Sequence, residues 1–522
     1  MKKVKILWAD DEIELLKPHI LFLEGKGYYV VSVQDGMSAI EKVQQEYFDI
    51  IFLDEQMPGI SGIDTLIEIK KIAPVVPVVM ITKSEAEDIM EAAIGSQIDD
   101  YLIKPVNPNQ ILLALKKNLQ SGDIITQKTT TQYQTEFSHL GMDISNASTW
   151  DDWVHVYKRI TYWEFQLDKS HDKAMDEILH MQKQEANASF SKYIQKQYIS
   201  WMSGASEDRP LLSPGLLKEK VFPHLNHSPE RPTVLLVLDN LRYDHWMTLR
   251  TFFYEYFFIE SEDLYCSILP TTTQYARNAM FAGFMPLDIE KRYPHIWKND
   301  EDEDGKNNSE EELLRAHMKR LGIQESLYYK KITAIHPGKN LLDIVHQITH
   351  HALSVIVYNF VDTLSHARTE MDMIKELAGD ESAYRSLIQS WFQHSVLYDV
   401  LKELSKHTCK LCVTTDHGSV RVQRPVQVVG DRSITKNLRY KSGRALKYKT
   451  KDVFEIRHPE DAHLPASHLT SSYIFANNHD FFAYPNSFNH YARYYKNTFQ
   501  HGGISMEEMI VPCIEMSARE SN

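Results

Sequence analysis

The sequence predicts an α/β protein of several domains, and three observations carry that expectation. Short apolar strands alternate with amphipathic helical stretches over the first 120 residues and again beyond about residue 225. Two long stretches free of Gly and Pro, with apolar residues at helical spacing, lie between them. Polar or Pro/Gly-rich breaks mark the seams. At 522 residues with 43% apolar content the chain exceeds what one core serves, so two to four domains are expected. The formal net charge of -14 opposes general duplex-DNA binding, which needs clustered Lys and Arg at the phosphates. The start, MKKVKILWADDE, reads as neither a secretory signal nor a membrane span. A cytoplasmic protein without membrane insertion is expected. Cys266, Cys409, Cys412 and Cys513 are too few and scattered for a disulfide framework, and the CxxC of TCKLCVTTDHG falls in a strand.

Residues 1–120 contain the strands KILWA, YVVSV, DIIFLD, VPVVMIT and DDYLIKP, an alternation that calls for a doubly wound parallel sheet. In such a sheet sites form beyond the carboxyl ends of strands. Asp10, Asp11 and Glu12 follow the first strand and Asp54 ends the third, so acids able to hold one Mg²⁺ meet at that edge. Thr82 and Lys104 arrive there as hydroxyl and ammonium donors to a phosphoryl oxygen. The ordered set of Asp10-Asp11, Asp54, Met57-Pro58-Gly59, Thr82, Tyr101 and Lys104-Pro105 resembles the CheY-like receivers. That resemblance implies phosphorylation on Asp54, Mg²⁺ held by Asp10, Asp11 and Asp54, and a switch formed by Thr82, Tyr101 and Lys104.

Residues 121–135, SGDIITQKTTTQYQT, read as a polar linker without periodicity, and 136–225 as a helical bundle. After RPLLSPG, the strand TVLLVLD opens a second α/β region over 226–522. Its strand ends carry Asp239, then Asp362 with His366, then Asp416 and His417, and later His501 before two glycines. Carboxylate and imidazole suit Zn²⁺, and six such groups with a nucleophile oxygen suit two ions better than one. The nucleophile is expected in LPTTTQYARNAMFAGFMP, where a threonine precedes a helix and its positive dipole end.

This order of residues resembles the alkaline phosphatase superfamily, as in nucleotide pyrophosphatase/phosphodiesterases and PglZ domains. The resemblance implies one zinc on Asp362, His366 and His501, and a second on Asp239, the threonine, Asp416 and His417. Counting back from Gly283 and Pro286, which match the family's helix-ending pair, points to Thr273, with Thr271 and Thr272 as rivals. Arg277, one turn on, is expected as an anion clamp or a surface arginine.

Other features carry less. Histidines such as His350 and His351 are too numerous to read, and the acidic run 298–312 lacks a spaced calcium pattern and reads as a mobile surface loop. Residues 419–458 mix Arg and Lys with Tyr and Phe, as either a flap gripping a polyanion or a solvated insertion. Across the whole chain, receiver, helical connector and PglZ-type domain resemble the PorX-type response regulators of type IX secretion. That match implies a zinc-dependent phosphodiesterase for linear or cyclic oligonucleotides. It also implies a homodimer on phosphorylation, a sensor histidine kinase, a sigma factor and a secretion-motor component. The alternative is a catalytically weak, metal-stabilised module that binds a sigma factor or nucleotide second messenger. A DNA-binding output ranks last, since no helix-turn-helix with a basic recognition helix follows residue 120.

Overall fold

The computed structural model describes residues 4–74, 76–83, 98–170, 173–226, 231–300, 302, 305–332, 341–430, 435, 437–486 and 488–519. The chain divides into two compact units, residues 1–133 with 169–172, and residues 134–168 with 173–522.

In the first unit β1 (Lys5–Ala9), β2 (Tyr29–Val33), β3 (Ile50–Asp54), β4 (Val78–Thr82) and β5 (Asp100–Ile103) form a parallel sheet in the order β2-β1-β3-β4-β5. Helices α1 (Lys17–Gly25), α2 (Gly36–Gln45) and α3 (Gly62–Ile72) connect strands. Side chains alternate across a strand, so Leu7, Ile51, Leu53 and Met80 enter one core while Ile6, Trp8, Ile50 and Phe52 enter the other. Both faces being covered, β1, β3 and β4 read as unbroken apolar runs. Asp35 and Ser61 cap α2 and α3 by accepting bonds from the backbone N–H groups of Ser38 and Asp64.

Helix α4 spans Pro108–Asn146 without interruption, so the 121–135 run expected as an irregular linker is helical. Polar residues and threonines lower helix propensity only by tenths of a kcal/mol each, roughly, and the run holds no proline. Helices α5 (Trp150–Ser170) and α6 (Lys173–Ser203) follow, joined by edge-on contacts such as Trp153 with Phe190 and Trp150 with Trp201. From residue 134, apart from residues 169–172, these connector helices share one compact unit with the following α/β region.

That region is built on a six-stranded sheet. Strands β6 (Thr233–Leu238), β8 (Leu327–Ile332), β9 (Leu353–Tyr358) and β10 (Lys410–Thr414) run parallel, while β18 (Ile510–Ala518) lies antiparallel between β10 and β7 (Phe257–Cys266). The order is β7-β18-β10-β6-β9-β8. Segment 419–458 contributes four short strands: β11 (Val420–Arg421) pairs β17 (Phe499–Gln500), and β12 (Arg424–Gln427) pairs β16 (Asp480–Ala483). Strands β13 (Tyr440–Gly443) and β14 (Val453–Ile456) flank β15 (Ser472–Ala476). Residues 431–434 and 436 of this segment lie outside the described residues. All four cysteines are buried and free; Cys412 lies in β10 and Cys409 just before it, and among the described residues neither joins a candidate metal group. Among the described residues no helix is long and apolar enough to cross a membrane.

Candidate functional site

The strand ends of the first unit bring Asp10, Asp11 and Asp54 together, with one oxygen of each within 4.8 Å of the others. Lys104 reaches in with Nζ 2.9 Å from Asp10 Oδ2 and 3.0 Å from Asp54 Oδ2. Burial pushes the Asp54 carboxyl up to about 6, and neighbouring Asp10 and Asp11 act the same way against the bond from Lys104. One ammonium among three acids leaves a deficit of positive charge that a hard divalent cation fits. The Thr82 hydroxyl donates to Glu55, a carboxylate that sequence reasoning passed over. Tyr101 lies within β5, three residues before Lys104, and is 41% exposed.

In the second unit the parallel strand ends deliver two donor groups. Asp239 at the end of β6, with Asp416 and His417 just beyond β10, forms one; Asp362, His366 and His501 form the other. The first is fully buried, while His366 is exposed. His417 donates from Nδ1 to the Gly418 carbonyl at 3.0 Å, leaving Nε2 facing Asp416 Oδ2 at 3.6 Å and Asp239 Oδ1 at 3.8 Å. His501 likewise donates from Nδ1 to the Thr271 carbonyl at 3.2 Å, and its Nε2 lies 3.7 Å from Asp362 Oδ1. His366 Nε2 is 3.5 Å from Asp362 Oδ2. Fixing one ring nitrogen on a carbonyl sets the tautomer and aims the other lone pair into the acids, which is the arrangement of ligating histidines. Burial, reinforced by His417, lowers His501 to about 3, so its ring is neutral at physiological pH. The two groups adjoin through the stacked rings of His417 and His501, 4.3 Å between centroids. The donor sets fit two divalent ions accepting carboxylate and imidazole.

The three threonines point in different directions. Thr271 Oγ1 donates to the Gly503 carbonyl and accepts from the Gly502 N–H, both at 3.0 Å, and so clasps the loop bearing His501. Thr272 precedes the first turn and its buried Oγ1 has no hydrogen-bond partner. Thr273 opens a π-helical turn, Thr273–Arg277, with Oγ1 3.2 Å from His417 Nε2 and 3.5 Å from Asp239 Oδ1. The following helix, Asn278–Ala282, ends at Gly283 in the left-handed conformation (φ 63°), and Pro286 starts the next. A side chain at Gly283 would meet the His317 ring at 2.3 Å.

Arg277 is not a surface group, and its guanidinium is engaged by carboxylates. It is fully buried, with Nε 3.0 Å from Asp416 Oδ2, an ion pair to Asp239 Oδ2, and Nη1 3.4 Å from Glu310 Oε1. Burial acts against its charge, but Asp239, Asp416 and Glu310 hold it protonated well above the usual range. It therefore orients the two carboxylates from behind. Asn240, at φ 64°, is a second residue that sequence reasoning missed: its amide donates to Asp362 Oδ1 at 3.4 Å and Ser365 Oγ at 3.2 Å. The available signal was its place directly after Asp239, a candidate ligand.

Two surface readings change. The acidic run contributes Glu310 to Arg277, and Asp300 accepts bonds from Tyr275, Tyr440 and Ser442, so these members are structural. Residues 301, 303 and 304 lie outside the described residues. In the 419–458 segment Arg439 is buried on Glu508 and Lys441 is buried, while the exposed Arg424 pairs with Asp480 and Asp452. Arg444, Lys447, Lys449 and Lys451 are exposed.

Comparison with known proteins divides the chain the same way. Residues 6–116 match the response regulator receiver domain family, and 123–202 match the PorX response regulator linker domain family. Residues 216–516 match the family described as BREX system PglZ alkaline phosphatase-like domain. The transcriptional regulatory protein ZraR of Klebsiella oxytoca is 33% identical over 27% of this chain and 32% of its own length. ResD of Bacillus subtilis is 28% identical over 33% of this chain and 74% of its own. The chain thus spans about a third of ZraR. A CheY-like receiver from Methanospirillum hungatei superposes with a TM-score of 0.23 at 26% identity, covering 23% of this chain and 96% of that one. The chain belongs to the PorX-type response regulators, in which a receiver and its linker precede a PglZ domain of the alkaline phosphatase-like superfamily.

Proposed function

We propose that phosphorylation of Asp54 by a sensor histidine kinase controls a zinc-dependent phosphodiesterase acting on nucleotide or oligonucleotide phosphodiesters, linear or cyclic, in the regulation of type IX secretion. The observation that carries the hydrolytic reading is Thr273 Oγ1 lying within 3.5 Å of both His417 Nε2 and Asp239 Oδ1, beside a second donor group. Asp239, Asp416 and His417 would hold one zinc and Asp362, His366 and His501 the other. Bound zinc would lower the pKa of the threonine hydroxyl and offset charge on the leaving oxygen.

Thr273 Oγ attacks phosphorus, the bond from phosphorus to the leaving oxygen breaks, and that oxygen departs with a proton. Water then attacks the threonine phosphoester, releasing the phosphomonoester and restoring the hydroxyl. Asp239 and His417 orient the nucleophile, Arg277 holds the carboxylates, and Thr271 anchors the His501 loop. In the receiver, Asp10, Asp11 and Asp54 would hold Mg²⁺, and Thr82 and Lys104 would meet the phosphoryl oxygens, with Tyr101 as the switch ring. Homodimerisation on phosphorylation, a sigma factor and a secretion-motor component complete the reading as partners.

The test measures metal content and hydrolysis of bis-p-nitrophenyl phosphate and short oligonucleotides by wild type, Thr273→Val and Asp416→Ala. Near two zinc per chain is expected, with turnover falling by about 10³-fold or more in Thr273→Val. Zinc retained without hydrolysis of any phosphoester would instead support a metal-stabilised module that binds a sigma factor or nucleotide messenger. Activity surviving in Thr273→Val alone would move the nucleophile to Thr271 or Thr272.

A further inference from the structure

The connector helix α6 carries a polar stripe. Lys183, Asn187, Ser191 and Gln195 recur at four-residue spacing, so they share one face. Each side chain on that face bonds to the α/β region. Lys183 Nζ lies 2.8 Å from Glu164 Oε1, 3.3 Å from Glu381 Oε2 and 3.1 Å from Glu507 Oε1. Asn187 donates to Glu507 Oε2 at 3.0 Å and accepts from the Met506 N–H at 2.8 Å. Ser191 donates to Asn478 Oδ1 at 2.8 Å, and Gln195 to Asn477 Oδ1 at 3.0 Å.

The groups so gripped are continuous with the loops bearing His417 and His501. Gly418, next to His417, donates its N–H to the Glu508 carbonyl at 3.2 Å, and a Cβ there would lie 2.0 Å from the Glu507 carbonyl oxygen. Glu508 accepts from the Gly503 N–H at 2.9 Å, two residues beyond His501. Asn477 bridges Ile504 in the same hook. On the other side Glu381, shared with Lys183, accepts from Arg242 at 3.1 Å, and that guanidinium lies over the Phe499 ring, two residues before His501. Lys183 and Glu507 are both buried, so their bond is weakly screened. Burial acts against the lysine's charge, but Glu164, Glu381 and Glu507 hold it protonated well above its ordinary value.

We infer that Lys183 and Asn187 of the connector are positioning residues for the metal centre, setting the 501–508 hook against Gly418 and thereby the mutual placement of the His417 and His501 rings. None of the four side chains of the stripe is among the ligands, so their effect passes through the Glu507 and Glu508 backbone. The inference rests on the proposal that the two donor groups bind metal, and its failure is separable from failure of that proposal.

The experiment titrates full-length Lys183→Met and Asn187→Leu with zinc against a chromophoric chelator and records the visible spectrum of the cobalt-substituted proteins. Second-layer partners of ligands commonly change affinity by about 10- to 100-fold. A weakening of zinc binding by about tenfold or more is expected in each, with an altered cobalt spectrum and helix content like that of wild type. Ser191→Ala removes the hydroxyl's bonds to Asn478 and to the Asn187 carbonyl of its own helix, a small change that keeps the test decisive where a larger replacement fails to fold; about threefold is expected there. Wild-type zinc affinity and an unchanged cobalt spectrum in the folded variants would overturn the positioning role while leaving the metal centre intact. Absence of zinc binding by wild type would overturn both.

Discussion

Thr271, Thr272 and Thr273 share one side chain, and their surroundings divide its uses. Thr271 is committed to the backbone on both sides of Gly502, whereas Thr273 is turned toward the ligands. Thr271→Val is therefore expected to loosen zinc without removing the nucleophile. Each lost hydrogen bond costs about 1 kcal/mol, more where a buried partner is left unpaired, and dialysis against a chelator should show faster zinc loss with turnover per loaded site preserved. Arg277→Met leaves Asp239, Asp416 and Glu310 without their common cation. Denaturant unfolding of the metal-free protein should show a loss of about 3–5 kcal/mol, partly recovered on adding zinc. Lys441 gives a pH dependence. Burial lowers its ammonium to about 7 in the fold, against 10.5 in the unfolded chain. Between these values the unfolded chain binds a proton that the folded chain lacks, so stability rises with pH from about 7 towards 10.5 and is lost as pH falls to 7. Lys441→Met should flatten that rise in thermal melts and be more stable than wild type near pH 7, with the advantage shrinking at higher pH.

Elements explain which of these features were legible beforehand. Asp10, Asp54, Asp239 and Asp416 each end or follow a short apolar strand of a parallel pair, so that topology gathers them at the carboxyl edges and the sequence pattern was enough to name them as candidates. Counting back from Gly283 and Pro286 pointed to Thr273 over its rivals Thr271 and Thr272, and the π-helical turn that no periodicity announces is what sets Thr273 Oγ1 beside His417. Arg277 could not be assigned because its partners come from 33 and 139 residues further along the chain. The helical state of 121–135 was missed because polarity was taken for irregularity, although only proline would have forced a break. At the level of loop packing, Gly418 has no room for a side chain, since the obstructing atom is a backbone carbonyl. Gly418→Ala should separate the β10 end from the 506–509 turn, and crystallography or cobalt spectroscopy should find the His417 group disordered while the receiver is unaffected.

The whole molecule consists of two compact units with separate cores, one closing around the receiver sheet and the other around the six-stranded sheet. Calorimetry is expected to resolve two unfolding transitions. Magnesium with beryllium fluoride should raise one of them, and a zinc chelator should lower the other. A single cooperative transition shifted equally by both reagents would contradict that division. The stripe on α6 also limits how the connector can move. Successive positions along it hold an ammonium, an amide, a hydroxyl and a second amide, each matched to a different partner. Slipping the helix by one turn, about 5.4 Å, would seat Asn187 among Glu164 and Glu381 and leave those two carboxylates and the buried Glu507 without their lysine. The connector thus sits like a key with one depth of insertion, because a shift by a single notch would break all four pairings of the stripe at once.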